Sequence, residues 1–299
     1  MRVTILGGGT LGRVLGVRLA RAGVDVTFVV RTPLASRLTI ERVDNDESLT
    51  QDSIVQSADL PKSADVILVC LPAEAMDEEM LARLARATSP IVTLFPLLPN
   101  SWSRIAEALG DRVVPGVPGV IGYVREDGIV RYWLPRVAPT SIDASGRELG
   151  ALIDALVRSG LPAKFSANVA RDNQVVTATL LPMVMGLAGK GSVSAAMDDD
   201  GLVALVLAAM TETELLARDL GPAPPWLGLL TKFIGPRILK VGVGIAERTS
   251  AEALRYVDVH FGNTRIPSAR ALADEALAVC KARGIPTTSL TELRARMPA

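Results

Sequence analysis

Gly7-Gly8-Gly9-Thr10-Leu11-Gly12 decides how this chain is read. The stretch follows the apolar run Arg2-Val3-Thr4-Ile5-Leu6, which predicts a buried strand. It opens a segment that carries Leu11, Val14, Leu15 and Leu19 at helical spacing. Glycines in the order Gly-x-Gly-x-x-Gly between a strand and a helix fit a dinucleotide-binding turn. Gly7 makes the tight turn, Gly9 admits a pyrophosphate to the backbone, and Gly12 allows close helix–strand packing. Gly8, Thr10 and Leu11 complete the expected phosphate-binding set, because free N–H groups at a helix start attract an anion. The next apolar run, Val24 to Val30, supplies the second strand of a β-α-β unit.

The residue after that strand predicts which dinucleotide binds. A site for NAD usually has Asp or Glu there, accepting from the ribose hydroxyls. Here the strand ends in Arg31, followed by Thr32. A carboxylate repels a 2′-phosphate, whereas a guanidinium binds it through charge-assisted hydrogen bonds. The sequence therefore predicts NADP, with a solvated loop arginine as the other reading of Arg31.

Composition bounds the rest. At ~100–200 residues per domain, a chain of 299 residues holds about two. With 49% hydrophobic and only 4% aromatic residues, its core must be built from Leu, Val and Ala. Lys and Arg balance Asp and Glu at 32 each, so no basic excess points to nucleic acid or an anionic membrane as partner. Cys70 and Cys280 both fall in apolar runs, without ligand or disulfide spacing, and read as reduced core residues. A single histidine cannot build a His-based metal site, and no metal is expected. Met1-Arg2 leads straight into the first strand with no signal-peptide pattern. The longest uncharged apolar stretch, Asn173 to Gly189, is shorter than the ~20 residues of a membrane span. These features predict a cytoplasmic protein acting on a small-molecule substrate.

Along the first half, Glu41 to Asp59 is polar and acidic and holds either short antiparallel strands or a surface excursion. Asp65 to Leu71 is a continuous apolar run, expected of a central parallel strand. It ends at Pro72, which places Leu71 and Pro72 beside the dinucleotide. A helix is expected over Glu74 to Ala87, then a strand over Ile91 to Phe95. Asn100, in the loop beyond, reads as a substrate contact or as a cap. Val113–Ile121 and Gly128–Val137 read as two more strands. Ser145-Gly146-Arg147-Glu148 then has the form of a capping box before a helix ended by Gly160.

From Asn168 on, strand signals give way to helical segments near 171–188, 201–219, 226–243, 251–260, 268–283 and 288–296. That change predicts domains over 1–167 and 168–299. The 171–188 segment is apolar nearly all round and reads as a buried helix. Ser268 is positioned to cap the last long helix, which Gly284 and Pro286 end. The 226–243 segment reads as core, pocket wall or dimer contact, and Lys232 within it as a candidate donor to a developing alkoxide or as a snorkelling surface lysine.

These features together resemble the ketopantoate reductase family. The glycine turn, Arg31 and a helical second half carry the likeness. So do Ala271-Leu272-Ala273-Asp274-Glu275 and the closing Gly284-Ile285-Pro286-Thr287. The resemblance implies an α/β N-terminal Rossmann-type doubly wound sheet. An all-α domain of the 6-phosphogluconate dehydrogenase C-terminal type follows. It also implies NADPH-dependent reduction of a 2-oxo acid, and a homodimer is expected from the apolar helical half.

The family's catalytic groups find no match. Its lysine early in the second domain, with asparagines four and eight residues on, overlays Asn173, Thr177 and Leu181. A second family lysine falls at Pro72, its Asn-Gly near Pro96-Leu97 and its glutamate near Ser268. A group able to donate to the developing alkoxide is worth about 10²–10⁴ in rate. Asn173 stands at the lysine position and donates a hydrogen bond but no proton. Lys190 sits in Gly189-Lys190-Gly191 and reads as a donor or as a helix stop. Histidine is the side chain suited to donate a proton near neutral pH, so His260, the only one in the chain, reads as a donor or as a structural side chain. The expected substrate is a carbonyl compound, a 2-oxo acid or a more hydrophobic ketone. The alternatives are a non-catalytic NADP-binding protein and an opine-type or hydroxy-acid dehydrogenase.

Overall fold

The computed structural model describes residues 1–61, 64–135, 138–222, 240, 243–245, 251–262 and 266–298. They divide into two compact units. One is Met1–Pro96 with Trp102–Ala170, the other Leu97–Ser101 with Arg171–Ala299.

The first unit is built on a mixed eight-stranded sheet. Strand β1 (Arg2–Leu6) pairs in parallel with β2 (Asp25–Val29) on one side. On its other side it pairs in parallel with the strand Val66–Val69. Between β2 and that strand the chain forms β3 (Leu38–Arg42), β4 (Glu47–Gln51) and β5 (Gln56–Ser57), so Val66–Val69 is β6. The sheet continues with β7 (Ile91–Thr93) and β8 (Val113–Val117), both parallel. After β9 (Ile121–Val124) and β10 (Val130–Trp133), β11 (Thr140–Asp143) joins antiparallel to β8, and β12 (Ala163–Ser166) pairs parallel to β11. The spatial order β12-β11-β8-β7-β6-β1-β2-β5 reverses direction at β1. In such sheets ligands bind outside the carboxyl ends of the strands at that reversal. β6 is buried along its whole length, as its unbroken Val-Ile-Leu-Val requires.

Helix α1 (Thr10–Arg21) connects β1 to β2 and buries Val14, Leu15, Val17 and Leu19. The acidic stretch of 41–59 resolves as strands. β3 and β4 pair antiparallel and join β10 and β9 in a second, four-stranded sheet of order β4-β3-β10-β9. Arg18 ties that sheet to α1. Its guanidinium is buried, and Nε donates to the Tyr132 hydroxyl at 2.9 Å. Nη1 donates to Glu47 Oε1 at 3.2 Å and to the Ser159 carbonyl at 3.3 Å, while Nη2 pairs with Glu47 Oε2. Burial pushes the Tyr132 hydroxyl pKa up, which keeps it a neutral acceptor for Arg18. Removing one partner of a buried ion pair strands the other, at about 3–5 kcal/mol. Glu47 is partly exposed and can rehydrate. Arg18→Met is therefore expected to lower stability by about 3 kcal/mol, the low end of that range. Urea unfolding at unchanged m-value measures this. A loss below ~1 kcal/mol, the size of an ordinary point substitution, would mean the cluster is not structural.

Three local readings need correction. The helix expected from Glu74 is a 3-10 turn (Ala73–Ala75) and then α2 (Glu78–Ala85). The break comes at Asp77, whose carboxylate accepts from the Met80 N–H and restarts the helix. Ser145 is no capping-box residue, because Asp143 accepts from the Ser145 N–H at 3.0 Å and Gly146 is non-helical. After α3 (Pro99–Leu109), α4 begins only at Gly150 and runs to Arg158. Ser268 is not the N-cap of its helix, which already begins at Ile266.

The second unit is helical among the described residues. α5 (Val169–Ala188) is followed by α6 (Val193–Met197), which hydrophobic spacing did not reveal, and by α7 (Asp200–Leu220). α8 (Ala251–Phe261), α9 (Ile266–Ala282) and α10 (Thr288–Ala295) close the chain. The segment 226–243 lies largely outside the described residues, Lys232 with it. The core joins Ala178, Leu181 and Met185 of α5 to Ala209 and Met210 of α7, and to Ala273, Ala276 and Cys280 of α9. Glu212 accepts from the Ser289 and Leu290 N–H groups, both at 2.8 Å, and so caps α10 from α7. Among the described residues no helix is long and apolar enough to cross a membrane, and no cluster of His, Cys, Asp and Glu could hold a metal ion.

Candidate cofactor-binding site

The glycine turn leaves the carboxyl end of β1 at the point where the sheet order reverses. Gly7 has a φ of 113°, a conformation that side chains rarely adopt, and its N–H donates to the Val29 carbonyl at 3.0 Å. Gly12 packs against the strand end. A Cβ there would lie 2.1 Å from the Gly7 carbonyl oxygen and 3.1 Å from Ile5 Cγ2. At Gly9 the opposite holds: a Cβ would meet nothing within 4 Å. Gly9 is the N-cap of α1, and no side chain caps this end. The leading N–H groups at Thr10, Leu11 and Gly12 therefore face a position that an anion can take.

Leu71 and Pro72 follow β6, and Leu71 lies beside the turn. A Cβ on Gly7 would touch the Cys70 carbonyl and Leu71 Cδ2, each at 3.0 Å. Burial pushes the Cys70 thiol pKa up, so it stays protonated and inert at neutral pH. At the end of β2, Arg31 is exposed and makes no hydrogen bond or ion pair with any described residue. Its guanidinium is available to a ligand.

Gln56 escaped the sequence reading. Its side-chain Oε1 accepts from the Leu34 N–H at 2.8 Å and its Nε2 donates to the Leu34 carbonyl at 3.1 Å. Leu34 Cδ2 in turn would lie 2.7 Å from a Cβ on Gly8. Gln56 therefore pins the segment after Arg31 against the glycine turn. Nothing in the pattern of β5, two polar residues, could have signalled this.

The remaining candidates lie in the second unit. Asn173 is buried near the start of α5, and its Oδ1 accepts from the Leu97 N–H at 3.0 Å and the Thr177 hydroxyl at 3.1 Å. Lys190 follows the end of α5, half-exposed, with its ammonium 2.9 Å from Asp199 Oδ2. Asp199 also accepts from the Leu202 N–H at the start of α7. That bond first, and Lys190 second, hold its carboxyl below the usual range. His260 lies on α8, with its side chain outside the described residues. Asn100, in the first turn of α3, is exposed.

A doubly wound sheet with an uncapped helix at its reversal point, joined to a helical unit, defines an α/β protein of the Rossmann class, in which ligands bind at that reversal. The comparisons narrow that class. Residues 3–132 match the family model described as ketopantoate reductase PanE/ApbA. Over its whole length this chain is ketopantoate reductase-like in fold. It aligns with a PanE/ApbA family ketopantoate reductase from Ralstonia eutropha JMP134 at TM-score 0.70 and 21% identity, covering 99% of this chain and 96% of the other. The dimeric ketopantoate reductase of Staphylococcus aureus aligns at TM-score 0.69 and 14% identity, covering 99% and 97%. A D-mandelate dehydrogenase, solved with NADH and anilino(oxo)acetate, aligns at TM-score 0.64 and 16% identity over 99% and 97%. Curated proteins give no match.

Proposed function

We propose that this chain is an NADPH-dependent oxidoreductase that reduces the carbonyl of a 2-oxo acid or a more hydrophobic ketone. The observation that carries the proposal is Arg31. It is an exposed guanidinium with no partner among the described residues, just beyond β2, at the same carboxyl end of the sheet as the uncapped start of α1. The uncapped N–H groups and the open space at Gly9 fit a pyrophosphate, and Arg31 fits a 2′-phosphate. NADPH, when bound, supplies the hydride. The protein's part is to hold it by its phosphates, to orient the carbonyl, and to place a donor at the developing alkoxide. Asn173, Lys190 and His260 are the proposed donors.

The D-mandelate dehydrogenase neighbour was solved with NADH, so the fold by itself does not select the phosphorylated nucleotide, and Arg31 is what favours it here. The same neighbour supports hydroxy-acid chemistry on this scaffold. A non-catalytic NADP-binding role is the second reading. It is favoured by the pairing of Lys190 with Asp199 and of the Asn173 oxygen with Leu97 and Thr177. A homodimer is proposed on the precedent of the dimeric neighbour, and a cytoplasmic location on the free cysteines.

NADPH oxidation followed over a panel of 2-oxo acids, aryl and alkyl ketones tests the reaction. Turnover of at least one class with NADPH is expected, at a rate that falls by about 10² or more when the operative donor is removed. NADPH binding without turnover of any member would favour the second reading.

A further inference from the structure

We propose that Arg13 is a positioning residue of the dinucleotide site, setting the Gly8–Gly9 peptide so that the Gly9 N–H faces the pyrophosphate. The inference rests on the dinucleotide reading above. Arg13 directly follows Gly12 in the first turn of α1. Its Nε–H donates to the Gly8 carbonyl at 2.8 Å, and Nη1 donates to the Gly128 carbonyl at 3.1 Å. Its main-chain N–H donates to the Gly9 carbonyl at 3.0 Å. One residue thus holds two successive carbonyls of the turn. In a planar trans peptide the C=O and the following N–H point in opposite directions. With the Gly8 oxygen drawn to the guanidinium, the Gly9 N–H points away from it. With the Gly9 oxygen drawn down the helix, the Thr10 N–H points out of the helix start.

Three successive glycines cannot hold that arrangement by themselves, since glycine loses more conformational freedom on ordering than any other residue. The brace must therefore be stiff at its other end, and it is. Gly128 belongs to the turn joining β9 to β10, at a φ of 83°. That turn is closed by Arg125 N–H to Ile129 O at 2.8 Å and Gly128 N–H to Arg125 O at 2.9 Å. Asp127 locks it further, accepting from the Ile129 N–H at 3.1 Å and from Arg125. A guanidinium fork spans two carbonyls in fixed geometry, which a lysine ammonium on a flexible stem does not. The second sheet thereby supports the phosphate turn through one side chain.

The test uses the full chain and three probes: NADPH, NADH and adenosine 2′-monophosphate, which lacks the pyrophosphate. Arg13→Met keeps the aliphatic stem and removes the donors. It is expected to raise the dissociation constants of NADPH and NADH by the same factor, tenfold or more, and to leave adenosine 2′-monophosphate within twofold. Arg13→Lys, which keeps a charged donor nitrogen but not the planar fork, is expected to recover part of the loss. Arg13→Met binding both dinucleotides within twofold of the parent overturns the inference. So does an equal loss for all three probes, which marks a general collapse of the site. Should Arg13→Met not fold, Arg13→Leu, which also removes the guanidinium donors, decides on the same criterion. A parent protein that binds neither dinucleotide defeats the underlying reading itself, and is told apart because it needs no variant.

Discussion

Gly12→Ala is expected to destabilise the protein by about 3 kcal/mol and to remove dinucleotide binding. Its added Cβ would stand 2.1 Å from the Gly7 carbonyl oxygen. That atom is backbone at the mouth of β1, and it cannot swing aside as a side chain would. Either the turn moves or α1 slides off the strand, and overpacking of this kind costs about 1–3 kcal/mol. The upper end applies because Ile5 Cγ2 closes the other side at 3.1 Å. Gly9→Ala is the matched control. Gly9 has φ −75°, which alanine tolerates, and its Cβ would enter open space. Its stability should stay within about 0.5 kcal/mol of the parent, while NADPH binding weakens about tenfold, because the new methyl occupies the pyrophosphate approach. Urea unfolding and NADPH titration of both variants give the comparison. A stable Gly12→Ala would show that the helix packs less closely than the geometry states. Full binding by Gly9→Ala would remove the nucleotide from that space.

Arg31→Ala is expected to raise the NADPH dissociation constant about 100-fold and to leave NADH within threefold. Hydrogen bonds to charged groups contribute about 1.5–3 kcal/mol each. Two of them at an exposed phosphate fall at the low end, about 3 kcal/mol in total, which is on the order of 100-fold in affinity. NADH has no 2′-phosphate, so it loses only weak contacts. Arg31→Lys should recover the charge but not the planar fork, giving an intermediate NADPH constant. Equal weakening of both nucleotides would mean that Arg31 touches neither phosphate.

Much of this was legible in the chain itself. The turn from Gly7 to Gly12 could be placed because strand, glycines and helix each carry their own local signal, and the three agree. Arg31 could be placed because the end of β2 is a fixed position in a β-α-β unit. What could not be read is long-range. Gln56 reaches Leu34 and Arg13 reaches Gly128 across 22 and 115 positions of sequence, and no periodicity encodes either pairing. The same holds for Asp143 displacing the apparent Ser145 capping box: an aspartate two residues upstream competed for the same N–H. α6 escaped notice because a five-residue helix is too short to show a face. In the helical unit, Asn173 could be located by resemblance. Its bond to Leu97 joins segments 76 positions apart, and only the fold brings them together.

If a 2′-phosphorylated dinucleotide lies across the first strand-to-helix turn, its extra phosphate must count in the affinity. Parallel calorimetric titrations of the intact protein with NADPH and NADH, at one ionic strength, test it most directly. Both nucleotides are expected to bind, NADPH at least tenfold more tightly. Tighter binding of NADH, or no heat from either nucleotide at millimolar concentration, would contradict it.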